Sequence, residues 1–156
     1  MNIRRTDRWN RTAVVMLAAL LLPNLAWAAL GGDVVSVQSD AVRMKGAVHS
    51  TFASGYTVHE IAAAGGAVVR EYISPQGKVF AVSWRGPVMP NLEQLLGPYY
   101  DQFKQSVQSR TYRVRGPAVL QTPGLVVQSA GHMRGFMGRA YLPDNVPQGV
   151  NVNALQ

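Results

Sequence analysis

The chain has 156 residues, 47% of them hydrophobic, with no cysteine and a formal net charge of +7. The missing cysteines exclude a disulfide framework, a thiolate metal site and a lipidated cysteine. The positive charge is not a nucleic-acid footprint, because Arg4, Arg5, Arg8 and Arg11 stand against a single acid, Asp7, at the amino end.

These arginines precede an uncharged apolar run, Ala13 to Leu22, which Pro23 breaks before Ala26-Trp27-Ala28 supplies a small-x-small site. This layout predicts a secretory signal peptide over residues 1–28, cleaved after Ala28, and one domain over residues 29–156. The apolar core is shorter than the ~20 residues needed to span hydrocarbon, so no transmembrane anchor is expected after cleavage. Thr6 and Asp7 follow the arginine pair where a twin-arginine signal wants apolar residues, which favours general secretion and a periplasmic or secreted location. Four of the fifteen basic residues and one of the eight acids leave with the leader, so the remainder carries only +4. Nucleic acid is therefore not an expected partner. Without disulfides the core must stabilise the domain alone, and domains of about 100–150 residues bury roughly two-thirds of their unfolded surface.

Asp33 is placed to cap a helix whose apolar residues Val34, Val37, Ala41 and Met44 recur at spacings of three and four, with Gly46 as its stop. The stretch "GYTVHEIAAAGGAVVREYISPQGKVFAVSW" then separates three strand-like runs by two turns. A two-residue turn at Gly65-Gly66 would set Glu60 against Glu71, and like charges directly opposite are destabilising. A three-residue loop, 64–66, instead pairs Glu60 with Arg70, His59 with Glu71 and Val58 with Tyr72. The second turn, Ser74 to Lys78, predicts Tyr72 opposite Phe80 and Ile73 opposite Val79. One core face of Val58, Val68, Tyr72, Phe80, Val82 and Trp84 follows, with His59 and Glu71 on the other side. Asn91 is placed to cap a helix from 91 to about 109, with Gln94 as its capping-box partner and a stripe of Leu92, Leu95, Leu96, Tyr99, Phe103 and Val107. Gly97-Pro98 predicts a kink, or a turn and a second helix. Short strands are expected at 112–114, 118–121, 125–130 and 136–142, and the tail from Pro143 is expected to lie as a loose surface strand or to fray. The fold class expected is α+β, an antiparallel β-meander packed against one or two helices.

The densest candidate for chemistry is "GHMRGFMGR", residues 131–139. The strands expected at 125–130 and 136–142 leave Gly131 to Gly135 as a five-residue hairpin connection; as a site, His132, Arg134 and Arg139 would bind an anion with help from loop amides. His59 with Glu71 is the one histidine–carboxylate pair that the register brings together. It could orient a general base, although a cross-strand pair of modest worth is the simpler account, as it is for Glu60 with Arg70. The three histidines, His49, His59 and His132, show no metal-ligand spacing, so no metal and no cofactor is expected. "RTYRVR", residues 110–115, alternates arginine with Tyr112, a pattern that suits a charged edge strand or an anionic polymer.

The blocks "ALGGD", "GYTVHE", "VREYISPQGKVFAVSW", "GPVMPNLEQLLGPYYDQF", "LVVQSAGHMRGFMGRAYLP" and "PQGV" together resemble a family of small exported proteobacterial proteins known only as a domain of unknown function. The resemblance covers essentially all of residues 29–156 and implies a single exported domain, without implying an activity or catalytic residues. A non-enzymatic envelope protein is the function expected, a binding or accessory factor whose partner is an envelope protein, an anionic ligand or a polysaccharide. A small hydrolase using His59 or His132 as base is the alternative.

Overall fold

Runs of branched and aromatic residues, punctuated by glycine-containing turns, form seven strands in the computed structural model, which describes residues 30–34, 42, 44, 46–63, 65–109 and 116–156. They are β1 (Ala47–Ala53), β2 (Tyr56–Ala62), β3 (Val68–Ile73), β4 (Val79–Gly86), β5 (Ala118–Thr122), β6 (Leu125–His132) and β7 (Gly135–Tyr141). All pair antiparallel in a single open sheet of order β1-β2-β3-β4-β7-β6-β5. Between β4 and β5 lies one helical segment of 17 residues, Leu92–Leu96, Gly97–Tyr99 and Tyr100–Gln108, called α1 here. Its middle turn is a 3-10 turn at the predicted Gly97-Pro98 interruption. Asn91 caps it, its side chain accepting from the Gln94 amide at 3.1 Å.

The expected α+β class is therefore corrected: the described fold is nearly all-β. The three strands after α1 do not form a separate element, because β7 pairs with β4 and extends the meander into one seven-stranded sheet. The helix expected from Asp33 to Gly46 and the strand expected at 112–114 lie, largely or wholly, outside the described residues, as does the leader.

The register of β2 on β3 is the one that charge predicted, with Glu60 opposite Arg70 and His59 opposite Glu71. The β3–β4 register departs from expectation by a bulge: Ile73 faces Val79, but Tyr72 faces Ala81 and Glu71 faces Val82. One extra residue in β4 reverses the alternation beyond it. Phe80 stays with Tyr72, whereas Val82 and Trp84 move to the opposite face.

Each face consequently carries a buried cluster of its own. On the first, α1 lays Leu95, Leu96 and Phe103 over Ile61, Val69, Val82, Trp84 and Val127, joined by Leu30 and Leu142. Val107, expected on the buried stripe, is 41% exposed. On the second, Tyr56, Tyr72 and Phe80 meet at tilted and edge-on angles with ring centroids 6.0–6.3 Å apart. The carboxy-terminal residues Val146, Val150, Val152 and Leu155 close over them. The tail is therefore a packed cover: Leu155 is 2% exposed.

Trp84 needs one concession from its neighbours. It faces Gly138 across the β4–β7 pairing, and a Cβ there would come within 2.5 Å of the indole Cε2 and 2.6 Å of the Gln128 carbonyl oxygen. Glycine at 138 is what lets the indole approach the β7 backbone this closely.

Candidate functional site

Register places a row of polar side chains straight across the second face. His49, Glu60, Arg70, Ser83, Arg139 and Gln128 are successive cross-strand partners from β1 to β6, ending at Val119 on β5. Alternation puts Arg85, two residues beyond Ser83, on the same side, opposite Met137. Arg70, Arg85 and Arg139 together line a hollow of about 610 Å³, walled by Val119, Ala130 and Met137 and bounded by tail residues Asn153, Leu155 and Gln156.

The three guanidiniums differ in commitment. Arg139 is tied down: Nε donates to Gln128 Oε1 at 2.9 Å, Nη1 to the Val152 carbonyl at 2.7 Å and Nη2 to Asn153 Oδ1 at 3.1 Å. Arg70 donates from Nε to Glu60 Oε2 at 2.7 Å and from Nη1 to the backbone oxygen of Gln156. That oxygen also accepts from the Tyr72 hydroxyl at 3.1 Å. Burial pushes the Tyr72 phenol above its ordinary value, against a weaker opposing effect of its Ser83 hydrogen bond, so it remains a donor at neutral pH. Arg85 is exposed and makes no hydrogen bond or ion pair among the described residues.

Of the residues singled out in the sequence, Arg139 and Arg70 line the hollow and Glu60 holds Arg70. His132 and Arg134 do not line it. β6 and β7 run on to His132 and Gly135, leaving Met133 and Arg134 as a two-residue turn with Arg134 at φ 70°. The turn is tighter than the five-residue connection expected, and His132 is exposed, its Nδ1 3.1 Å from the Met133 carbonyl oxygen. Sequence reasoning misses Ser83, Arg85 and Gln128: the β3–β4 bulge turns Ser83 and Arg85 onto this face, and the β4–β7 pairing, which no local pattern announces, brings Arg139 and Gln128 beside them.

His59 and Glu71 do meet, but the side expected to lie outside the core is the one beneath α1: Glu71 is fully buried and His59 half-buried. From sequence this first face is expected to be solvated, because a single core face is predicted. Burial lowers the His59 pKa below its ordinary 6.5. The unfolded chain therefore binds this proton more readily than the folded one. Stability is expected to be full above pH 6.5, to fall as the pH drops from there to the lowered folded value, and to level off below it. Denaturant unfolding at a series of pH values checks this. His59→Gln should remove that fall, and an unchanged pH profile in the variant would refute the assignment.

Among the described residues, no group of three His, Cys, Asp or Glu side chains could hold a metal ion, and no helix is long and apolar enough to cross a membrane. No curated protein and no solved structure matches the chain. A family model, by contrast, matches residues 26–155, which takes in every described strand, α1 and all but the last residue of the tail. The chain thus belongs to the family described as "Protein of unknown function (DUF2844)".

Proposed function

We propose that the protein is an exported, non-enzymatic binding protein of the bacterial envelope, periplasmic or secreted, and that it holds an anionic ligand on the arginine-lined face. The observation that carries this reading is the convergence of Arg70, Arg85 and Arg139 on one hollow whose lining, among the described residues, includes no histidine and no acidic side chain. Guanidinium groups suit carboxylate and phosphate oxygens geometrically, and a partly enclosed site screens them less than open solvent does. The hydrolase alternative gains no support from geometry. His132 sits at a hairpin tip, and His59 lies beneath α1 rather than at the hollow.

The leader-like residues 1–28 support export. The mass of protein recovered from the envelope or medium should correspond to a start at Ala29. Binding is checked by calorimetric titration of that protein with inorganic phosphate, trigalacturonate and dodecanoate. At least one should bind, more weakly as salt rises, and Arg85→Ala should weaken it by about tenfold or more, since a charge-assisted hydrogen bond contributes roughly 1.5–3 kcal/mol. Binding of none of the three, or binding indifferent to Arg85, would overturn the reading.

A further inference from the structure

Arg85 stands in a row of its own. Its cross-strand neighbours are Val68 on β3 and Met137 on β7, and Met137 in turn faces Ala130 on β6. The one guanidinium of the hollow with no partner among the described residues is thus flanked by aliphatic side chains. Met137 is 51% exposed and Val119, on the next strand but one, 43% exposed, both lining the same hollow. Hydrophobic side chains half-open to water beside an uncommitted cation favour a ligand with both characters.

The side-chain amide oxygens that could accept from a sugar's hydroxyls are committed elsewhere. The Gln128 and Asn153 amide oxygens accept from Arg139. Trp84, the one aromatic residue bordering the hollow, packs its side chain on the opposite face beneath α1 and is 2% exposed, so it offers no open ring for a sugar to stack on. The same face, moreover, already holds an apolar group next to an oxygen acceptor. Leu155 is buried against Tyr72 and Phe80 while the backbone oxygen of the adjacent Gln156 takes hydrogen bonds from Arg70 and Tyr72.

From this pairing we infer that the ligand is an aliphatic carboxylate, its head on Arg85 and its chain along Met137, Ala130 and Val119. The inference rests on the reading of this face as an anion-binding surface. It excludes a compact anion or an acidic sugar as the main ligand. Burying a methylene contributes about 0.8 kcal/mol, so affinity should change about fourfold for each methylene that lies against the protein.

The test compares dodecanoate, octanoate, dodecyl maltoside, trigalacturonate and inorganic phosphate on the purified exported protein, read by calorimetry. Dodecanoate should bind, and octanoate more weakly by about fourfold per methylene lost. The neutral dodecyl maltoside and trigalacturonate should bind at least tenfold more weakly than dodecanoate. Arg85→Gln and Met137→Ser should each weaken dodecanoate by about tenfold while unfolding at the wild-type temperature, both positions being exposed. Met137→Leu should restore the affinity and guards against a local packing fault. Binding of trigalacturonate or phosphate through Arg85, without dependence on chain length, would overturn the inference and leave the anion-binding reading standing. Equal binding of dodecyl maltoside would overturn it too, and failure of every anion would overturn both.

Discussion

Replacing Gly138 by alanine lowers the stability of this protein by about 3 kcal/mol, at the upper end of the cost of inserting one methyl group into a packed core. The reason is local. The new Cβ would meet the Trp84 indole on one side and the Gln128 carbonyl oxygen, at 2.6 Å, on the other. Trp84 is 2% exposed beneath α1, and the carbonyl belongs to a strand paired on both edges, so neither has room to yield. Denaturant unfolding measures the loss. Trp84→Leu is itself destabilising through the cavity it leaves, but in that background Gly138→Ala should cost clearly less than in the wild-type protein, since the clash with the indole has gone and only the Gln128 carbonyl remains in the way. Full additivity of the two substitutions would show that the glycine is required for some reason other than the indole.

Leu155→Ala costs about 2–4 kcal/mol, the range for truncating a buried leucine. For a residue next to the last position described this is a strong claim, because a fraying terminus tolerates substitution within about 0.5 kcal/mol. It follows from Leu155 closing the second core over Tyr72 and Phe80, with Arg70 and Tyr72 anchoring the adjacent backbone. A thermal midpoint unchanged by the substitution would mean that the tail does not cover the sheet in solution. Leu155→Met, which nearly conserves volume, should stay close to wild type.

The tail also shows where sequence reading fell short. "PDNVPQGVNVNALQ" carries two prolines and several amides, and its apolar residues follow no strand or helix period. They reach the sheet through turns, Pro143–Asn145 and Val152–Ala154, which a periodicity argument does not see. β4 was hard for the opposite reason. Val79 through Trp84 are all buried because each face of the sheet has its own cover, so the alternation that distinguishes a core face is absent. The bulge at Phe80 then turned a correct turn prediction into a wrong face for Val82 and Trp84. β1 went unrecognised because "AVHSTFA" is largely exposed along its length and lacks a clear apolar face.

What could be read well was decided by pairwise chemistry. The repulsion between Glu60 and Glu71 selected the β2–β3 register, and the observed 2.7 Å ion pair of Arg70 with Glu60 is its direct expression. The Asn91 cap and the proline interruption of α1 were equally local. The arginine-lined face was legible only in pieces: Arg70, Glu60 and Arg139 each drew notice, for unrelated reasons. The β4–β7 pairing that unites them joins strands about 50 residues apart in the chain, since Gly86 faces Phe136.

That pairing also orders the assembly of the molecule in time. β1 to β4 form one chain of local hairpins and β5 to β7 another, each able to zip from its own turns. The two halves meet along a single seam, where the entropy of closing the long intervening loop falls due before any seam contact rewards it. Joining the two meanders is thus the slow event, and Gly138, with the indole it accommodates, stands in the middle of it. The refolding limb of the Gly138→Ala chevron is where a crowded seam should first be visible.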